Sequence, residues 1–490
     1  MSETHVPDVG TRRILANTVY RGAADVGSKL ISIAFFVVLA RQLGESAFGV
    51  FVFGLTLAAM LTVLAGFGQD QVLTREVARE HSRLDEYFAN TVALKLALAL
   101  PVLVVSALVM AAAGVDTQTL WVVLLLGIAL LAEQLASTCF AVYQAFEQLV
   151  YVPVVIITQR LITAAAGIAA VLAGASVVAV SVVYLGASLA AMVLAYVLMV
   201  RRVARPGLLV STGSWRRLLI AAAPVGVASV LSLLMFRVDT AILAFLESDA
   251  VVGAYGAAFR LFEATLFLSW AVTTAVFPVL ARLSITSRPS VGEVFDGSLK
   301  LVVALTLPLG VGMGILSEPI VHLVFGQEFD EAVVPLQLLS PAIVAYSIAF
   351  VSGGMLVAQN RQRATAIVYG TMTAFNIAAS LILIPARSLD GAALAALLTQ
   401  IFLAFALLGI ARAAAGSIGW MRVFAGPLAA SAALALTTLV LRDSLLAAIL
   451  VGGIVYLVGL AAFERVAYPE DARRIWTFLR QSREPAAAPR

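Results

Sequence analysis

Apolar stretches of about 20 residues, the length at which an α-helix crosses the hydrocarbon core of a bilayer, follow one another along almost the whole chain. Fourteen of them are predicted, all as helices, because open strands cannot satisfy their backbone hydrogen bonds in lipid. They cover residues 17–40, 48–69, 91–113, 119–140, 153–173, 177–200, 219–246, 253–280, 298–322, 335–358, 364–384, 391–411, 423–441 and 444–463. With 62% hydrophobic and only 12% charged residues among 490, the sequence predicts an all-α integral membrane protein.

The basic residues of the loops predict the orientation. If the N-terminus is cytoplasmic, 22 Lys and Arg residues fall on the cytoplasmic side and only Arg41, Arg387 and Arg442 fall outside. This asymmetry follows the positive-inside rule, which places both termini in the cytoplasm. A multi-pass protein of the cell (plasma or inner) membrane is predicted.

Two hairpins in the sequence resemble each other and suggest an internal repeat. LARQLGESAFGVFVFGL in the first pair of spans is similar to LAFLESDAVVGAYGAAFRL in the seventh and eighth, with Gly49 and Gly253 at matching places. A repeat six spans apart predicts two parallel six-helix lobes around a central cavity. The predicted parts are a cytoplasmic N-terminus (1–16), an N-lobe (17–200), a cytoplasmic interfacial linker (201–218), a C-lobe (219–411), two extra helices (423–463) and a cytoplasmic tail with an amphipathic helix (464–490).

Apart from Glu318 close to the end of the ninth span, eleven charged side chains lie inside the predicted spans, where each would cost at least ~2.5–3.5 kcal/mol if it faced lipid. The seven basic ones outnumber the four acidic ones, so the polar interior is predicted to favour an anionic ligand. The basic residues are Arg21, Lys29, Lys95, Arg160, Arg237, Arg260 and Lys300, and the acidic residues are Asp25, Glu133, Asp239 and Glu263.

Charges on the first span share one helix face, because Arg21, Asp25 and Lys29 are spaced four residues apart. At ~1.5 Å per residue, this stripe rises from the inner surface to about mid-membrane. Two interpretations stay open. The stripe lines a cavity, or Arg21 snorkels to the surface while Asp25 and Lys29 form a structural pair.

Spans seven and eight carry the next charges. Arg237 and Asp239 are two residues apart and are predicted on different sides of their helix, whereas Arg260 and Glu263 share a face and could pair.

Further charges lie in the fourth, fifth, third and ninth spans. Arg160, beside Gln159, and Glu133 either line a cavity or pair across helices. Lys95 and Lys300 are interpreted as structural residues near the inner ends of their helices.

Signals for catalysis, metals and cofactors are weak. The histidines His5, His81 and His322 are scattered, no phosphate-binding glycine loop occurs, and the single cysteine, Cys139, cannot form an internal disulfide. Basic residues lie in short separate loops, which argues against nucleic acid. Neither a metal nor a cofactor is predicted, and the chain is predicted not to be an enzyme.

Three stretches resemble a known family. They are the segment 222–263, with Pro224, RVDTAILAF and Gly253-x-Tyr255; the segment 323–364, with FGQEF and QNRQR; and LGESAFGVF in the first hairpin. Their order resembles the polysaccharide-type flippases of the multidrug/oligosaccharidyl-lipid/polysaccharide (MOP) exporter superfamily. The resemblance implies alternating access and a central cationic cavity for the diphosphate of a polyprenyl-linked oligosaccharide.

The resemblance suggests roles for the buried charges and partners for the protein. The candidate substrate-binding cations are Arg21, Lys29, Arg237, Arg260 and Arg160, and the candidate ion-coupling or pairing acids are Asp25, Asp239 and Glu263. Expected partners are the lipid-linked glycan, the bilayer and glycan-assembly enzymes.

Other functions remain open. A multidrug exporter of the same fold would need acids for cationic drugs. A glycan polymerase or ligase would need a reactive outer loop, and the longest outer loop, FGQEFDEAVV, is short. A non-transporting scaffold that binds cell-wall precursors is a further possibility.

Overall fold

The computed structural model describes residues 8–207, 209–286, 288–416 and 419–469, and the side chains within these ranges except those of 8–26, 278 and 284–290. The described chain is helical and contains no strand, which confirms the all-α prediction. The helices are α1 (Asp8–Gly66), α2 (Gln69–Arg79), α3 (Leu84–Ala112), α4 (Thr117–Ala145), α5 (Tyr151–Leu172), α6 (Val177–Arg202), α7 (Thr212–Leu246), α8 (Asp249–Thr265), α9 (Phe267–Thr286), α10 (Arg288–Ile315), α11 (Ser317–Val324), α12 (Val333–Ala358), α13 (Gln362–Ala415), α14 (Trp420–Val440) and α15 (Leu445–Ala467). Short 3₁₀ turns lie at His81–Arg83 and Gln327–Ala332.

Twelve stretches of the described chain are long and apolar enough to cross a membrane. Two of them, Gly27–Arg79 and Gln362–Ala415, have 53 and 54 residues, about twice the length that one crossing needs. Each is interrupted where the sequence predicts a loop, by Gly44 at a φ of 75° and by Ser388 at a φ of 51°. When each is taken as two spans, the fourteen predicted crossings are accounted for.

The interruption at Ser388 reverses the chain. A β carbon added at Gly391 would overlap the carbonyl oxygen of Leu383, eight residues earlier. In a straight helix these residues would be ~12 Å apart along the axis. Only a tight turn brings them together, so a side chain at position 391 would force the turn open.

The chain forms two compact units. The first contains residues up to Arg260 together with Thr373–Ala392, and the second contains Leu261–Met372 together with the chain from Ala393 onwards. The six-helix lobes at 17–200 and 219–411 stay a prediction.

Each unit has its own packed interior. In the first unit the Tyr143 hydroxyl on α4 donates to the carbonyl of Ala195 on α6 at 2.5 Å. In the second unit the Tyr456 hydroxyl on α15 donates to the carbonyl of Ala304 on α10 at 2.6 Å. Large apolar side chains also point outward, such as Leu108 at 64% exposure, as expected for helix faces in lipid.

Within the predicted interfacial linker, residues 201–218, α6 ends at Arg202 and α7 begins at Thr212. The linker is fixed to α3 by Asn90, whose Oδ1 accepts from the backbone N–H of Ser211 at 2.9 Å and from Trp215 Nε1 at 3.1 Å. Asp85 accepts from the N–H of Gly207 at 2.6 Å. The predicted amphipathic helix of the tail lies outside the described residues.

Candidate functional site

Of the charged stripe predicted on the first span, the structure describes only the side chain of Lys29. The side chains of Arg21 and Asp25 lie outside the described set, while Lys29 on α1 is exposed. The choice between a cavity-lining stripe and a structural pair therefore stays open for this helix.

Two of the predicted buried cations have carboxylate partners. Lys95 is fully buried, and its Nζ lies 2.8 Å from Asp70 Oδ1. Lys300 Nζ lies 2.5 Å from Glu464 Oε2. Both lysines are structural, as predicted, but Lys95 is buried and paired instead of snorkelling to the surface. These pairs remove two cations from the predicted positive surplus.

The Lys95 ammonium group has further polar neighbours. It donates to the Gln134 carbonyl at 2.7 Å and to Thr138 Oγ1 at 2.9 Å, and Ser137 Oγ donates to Asp70 Oδ2 at 2.6 Å. A buried ion pair whose remaining donors and acceptors are satisfied can persist at low dielectric. The pair joins α2, α3 and α4.

Arg160 lies in a polar network that connects α4, α5 and α6. Its Nη1 donates to the Tyr184 hydroxyl at 3.4 Å. The neighbouring Gln159 donates to Glu133 Oε1 and, at 3.0 Å, to Ser188 Oγ. Ser188 Oγ itself donates to Glu133 at 3.2 Å. The polar residues of the fourth and fifth spans thus interact across helices, while a cavity-lining role for Arg160 stays a prediction.

Arg260 on α8 lies over the ring of Phe36, with Cζ 3.9 Å from the ring centroid. This separation is well inside the range of a cation–π interaction. The rings of Phe36 and Phe51 pack edge to face with their centroids 6.2 Å apart, and those of Phe51 and Tyr184 pack in the same way at 6.3 Å. We call Phe36, Phe51 and Tyr184 the aromatic bridge. Two predicted substrate cations, Arg160 and Arg260, thus lie at its two ends.

The cations of the aromatic bridge lie deep in their helices. Arg160 is nine residues from the start of α5 at Tyr151, or ~14 Å along the axis. Arg260 is eleven residues from the start of α8 at Asp249, or ~17 Å. Since a hydrocarbon core is ~30 Å thick, both depths correspond to mid-membrane. Charges at this depth indicate function more often than those at helix ends.

Arg237 and Asp239 both reach α8, although their spacing predicts opposite sides of α7. Arg237 Cζ lies 5.6 Å from the ring centroid of Phe259, and Asp239 Oδ2 accepts from the Tyr255 hydroxyl at 2.5 Å. The long arginine stem lets its guanidinium group reach around the helix. The prediction of opposite sides is therefore wrong for the charged groups, while the depth of Arg237 stays a prediction.

The candidate coupling acids are in different settings. Asp239 is 1% exposed and also accepts from the backbone N–H of Thr240 at 2.7 Å, so its carboxylate is held by neighbours of its own unit. Glu263 belongs to the second unit and is half-buried. The hydrogen bonds of Asp239 favour a structural role.

Several residues of the site were not singled out from the sequence. Phe36, Phe51 and Tyr184 look like ordinary apolar residues of a membrane helix, and only the placement of charges beside them makes them distinctive. Asp70 and Glu464 flank the predicted spans and therefore read as loop residues.

No group of three or more possible metal ligands occurs in the part of the chain that the structure describes. A cavity of about 170 Å³ opens beside the linker, among residues of α2, α3 and α7, and none of the predicted site residues lines it.

The helical fold, with twelve stretches of the described chain long and apolar enough to cross a bilayer, is that of a multi-pass membrane protein. The structure is similar to that of the lipid II flippase MurJ in an inward closed conformation, with a TM-score of 0.80 at 15% identity, over 92% of this chain and 99% of that one. It is also similar to an inward-facing MATE family multidrug resistance transporter, with a TM-score of 0.59 at 14% identity, over 79% and 94% of the two chains. At these identities the likeness concerns the fold.

More narrowly, the chain belongs to the family described as polysaccharide biosynthesis protein, whose model matches residues 14–284, more than half of the chain. A second model, described as MatE, matches residues 224–382. A curated relative, the probable low-salt glycan biosynthesis flippase Agl15 of Haloferax volcanii, is 28% identical over 162 residues. That stretch spans 33% of this chain and 34% of the relative. The family and these relatives confirm the predicted resemblance and agree with a transporter rather than an enzyme.

Proposed function

We propose that this protein flips a lipid-linked oligosaccharide, carried on a polyprenyl diphosphate, from the cytoplasmic to the outer leaflet by alternating access. This transport takes place in the cell membrane, with both chain termini in the cytoplasm, and serves cell-surface polysaccharide biosynthesis. Glycan-assembly enzymes on the cytoplasmic side supply the lipid-linked glycan.

The observation that carries this proposal is the placement of Arg160 and Arg260 at the ends of the aromatic bridge. A diphosphate at low dielectric needs cations and hydrogen-bond donors, and a guanidinium group offers a planar pair of donors that matches phosphate oxygens. Half-buried arginines at mid-membrane depth supply both. Aromatic rings beside them suit sugars and isoprenoid chains, which present apolar faces.

A multidrug exporter of the same fold is the second candidate. The MatE match over residues 224–382 and the likeness to a MATE transporter support it. Cationic drugs, however, are attracted by acids, and the aromatic bridge carries an arginine at each end. The charge of the transported molecule therefore separates the two candidates.

The test uses purified protein in proteoliposomes that contain a fluorescent polyprenyl-diphosphate sugar, with a membrane-impermeant quencher reporting the leaflet. We expect the wild-type protein to move the probe between leaflets. Arg160→Ala and Arg260→Ala should each slow this movement at least tenfold.

The matched control is Arg442→Ala, which removes an exposed arginine near Asp443 and should leave the rate unchanged. Rapid transport by the Arg160→Ala/Arg260→Ala double variant would overturn the assignment of the site. Movement of a cationic dye, with no movement of the diphosphate, would favour the exporter.

A further inference from the structure

The chain around the linker between α6 and α7 carries five arginines and no acidic residue. It reads RRVARPGLLVSTGSWRR over positions 201–217. The side chains of all five arginines are exposed, and among the described residues only that of Arg217 lies within 4 Å of a carboxylate. The segment therefore presents mostly uncompensated positive charge. Its arginines are Arg201, Arg202, Arg205, Arg216 and Arg217.

Two neighbouring apolar side chains lie exposed between these arginines. Leu209 is 72% exposed and Val210 is 54% exposed. The backbone on both sides of Val210 is fixed to α3, because the Leu209 carbonyl accepts from Asn90 at 3.3 Å and the Ser211 N–H donates to Asn90 at 2.9 Å. The linker is thus held in a conformation that leaves an apolar pair unburied, which is unfavourable in water and favourable against lipid.

The position of the linker agrees with contact to lipid. It joins the ends of Val177–Arg202 and Thr212–Leu246, both long and apolar enough to cross a membrane, so it lies at a membrane surface. Tyr87 and Trp215 are half-buried beside it, and such aromatic residues are enriched at this level of a bilayer. Cations beside exposed apolar side chains match an anionic lipid, whose phosphate lies next to its acyl chains.

The cavity of about 170 Å³ beside the linker offers polar groups for a lipid headgroup. Arg217 lines it together with Glu86 and Ser214. The Arg217 Nη2 atom lies 3.5 Å from Glu86 Oε1 and donates to Ser214 Oγ at 3.1 Å. Because the Arg217 side chain is 78% exposed, this ion pair is weak, and the guanidinium group can turn to a phosphate at the mouth of the cavity. Glu86 then remains as an acceptor for the hydroxyl groups of a headgroup such as glycerol.

We propose that this linker surface, formed by the five arginines with Leu209 and Val210, binds an anionic phospholipid of the adjacent leaflet. The phosphate lies against Arg216 and Arg217, and the acyl chains lie beside Leu209 and Val210. In the predicted orientation this is the cytoplasmic leaflet. No residue of the aromatic bridge lines the cavity, so the inference does not depend on which molecule the protein transports.

General attraction between basic loops and anionic lipids is the alternative explanation for these arginines. It predicts that two arginines matter equally wherever they are exposed on the same side of the membrane. Arg361 and Arg363, at the turn between α12 and α13, provide the comparison, because both are exposed and lie on the predicted cytoplasmic side. Their turn contains the polar residues Asn360 and Gln362 in place of an exposed apolar pair.

Native mass spectrometry of the full-length protein in detergent tests the proposal, with dioleoylphosphatidylglycerol and dioleoylphosphatidylcholine as probes. We expect the wild-type protein to bind the first phosphatidylglycerol about tenfold more tightly than phosphatidylcholine. Arg216→Gln/Arg217→Gln should weaken phosphatidylglycerol binding about tenfold, because each arginine contributes to the attraction of an anionic lipid. The matched control Arg361→Gln/Arg363→Gln removes the same charge and should change this affinity less than about twofold.

The apolar part of the linker surface has its own variant. Leu209→Ser/Val210→Ser keeps every arginine and should weaken the binding of phosphatidylglycerol several-fold, because the acyl chains lose their contact. Millimolar inorganic phosphate should leave lipid binding unchanged. Displacement of the lipid by inorganic phosphate would identify a site for a small anion and overturn the proposal.

Fluorescence in proteoliposomes gives a second measurement that needs no change to the arginines. Brominated phosphatidylglycerol should quench Trp215 more strongly than brominated phosphatidylcholine at the same mole fraction. The difference between wild type and Trp215→Phe isolates this signal from the other tryptophans. Equal quenching by the two lipids, or equal loss of phosphatidylglycerol affinity in the two double arginine variants, would overturn the proposal.

Discussion

Gly49 on α1 and Gly253 on α8 pack backbone against backbone. A β carbon added at Gly49 would overlap the carbonyl oxygen of Asp249, and one added at Gly253 would overlap the carbonyl oxygen of Glu45. Each glycine thus lies against the residue four positions before the other glycine. The sequence comparison places these glycines at matching points of two similar hairpins, and the reciprocal contact is what a two-fold relationship between the hairpins would produce.

Replacing either glycine should push the two helices apart. Gly49→Ala and Gly253→Ala each insert a methyl group where backbone atoms already touch, and such overpacking typically costs ~1–3 kcal/mol. We expect a lower thermal unfolding midpoint in detergent for both variants. The control is Gly186→Ala on α6, where an added β carbon meets nothing within 4 Å. A control variant as unstable as the other two would contradict this explanation.

Removing one partner of the Lys95–Asp70 ion pair should lower the free energy of unfolding more than removing both partners. Lys95→Met leaves the Asp70 carboxylate near Ser137 and Thr138 without its cation. Breaking a buried pair costs ~3–5 kcal/mol, and we expect the lower end because the Asp70 side chain keeps 23% exposure. Unfolding in mixed micelles with increasing SDS measures the change in free energy.

Removing both charges should recover part of this loss. The double variant Lys95→Met/Asp70→Asn contains no unpaired charge, so its destabilisation should be smaller than the sum of the two single changes. If the double variant loses as much free energy of unfolding as the two single variants together, the two residues act independently.

The sequence predicts the helices and their turns well because both follow from local composition. Apolar stretches define the spans, and Gly44 and Ser388 fall in predicted loops. The partners of the charges do not follow from local composition. Glu464 lies 164 positions from Lys300, and Asn90 lies 121 positions from Ser211. Such pairs depend on how helices assemble, so the sequence overestimates the number of unneutralised cations while correctly placing Arg160 and Arg260 in membrane-spanning helices.

Because Arg260 stacks on Phe36, we expect that a positive charge at position 260 is not enough for full transport activity. Arg260→Lys keeps the cation but loses the planar guanidinium group, and Phe36→Leu loses the ring. Cation–π interactions are worth ~0.5–2 kcal/mol, so each change should slow probe movement in proteoliposomes by roughly 2- to 30-fold. The double variant should be no slower than the more affected single variant. If the rate of the double variant instead falls by the product of the two single fold-decreases, Arg260 acts through contacts other than the one with Phe36.

Asn90 should control how firmly the linker between α6 and α7 is held. Its amide oxygen accepts from Ser211 and Trp215, and its amide nitrogen donates to the carbonyls of Glu86 and Leu209 at 2.6 Å and 3.3 Å. Asn90→Ala removes all four hydrogen bonds, each worth about 0.5–1.5 kcal/mol. Limited trypsin digestion should then cleave faster after Arg202, where the exposed linker begins, and the fluorescence of Trp215 should shift to longer wavelength.

Asn90→Asp is the matched control, because it keeps the acceptor for Ser211 and Trp215 and loses only the donor. It should fall between wild type and Asn90→Ala in both measurements. Ser229→Ala, which removes a hydroxyl that bonds only to the carbonyl of Val225 on its own helix, should resemble wild type. Equal digestion of wild type and Asn90→Ala would mean that the hydrogen bond from Gly207 to Asp85 is enough to hold the linker on α3.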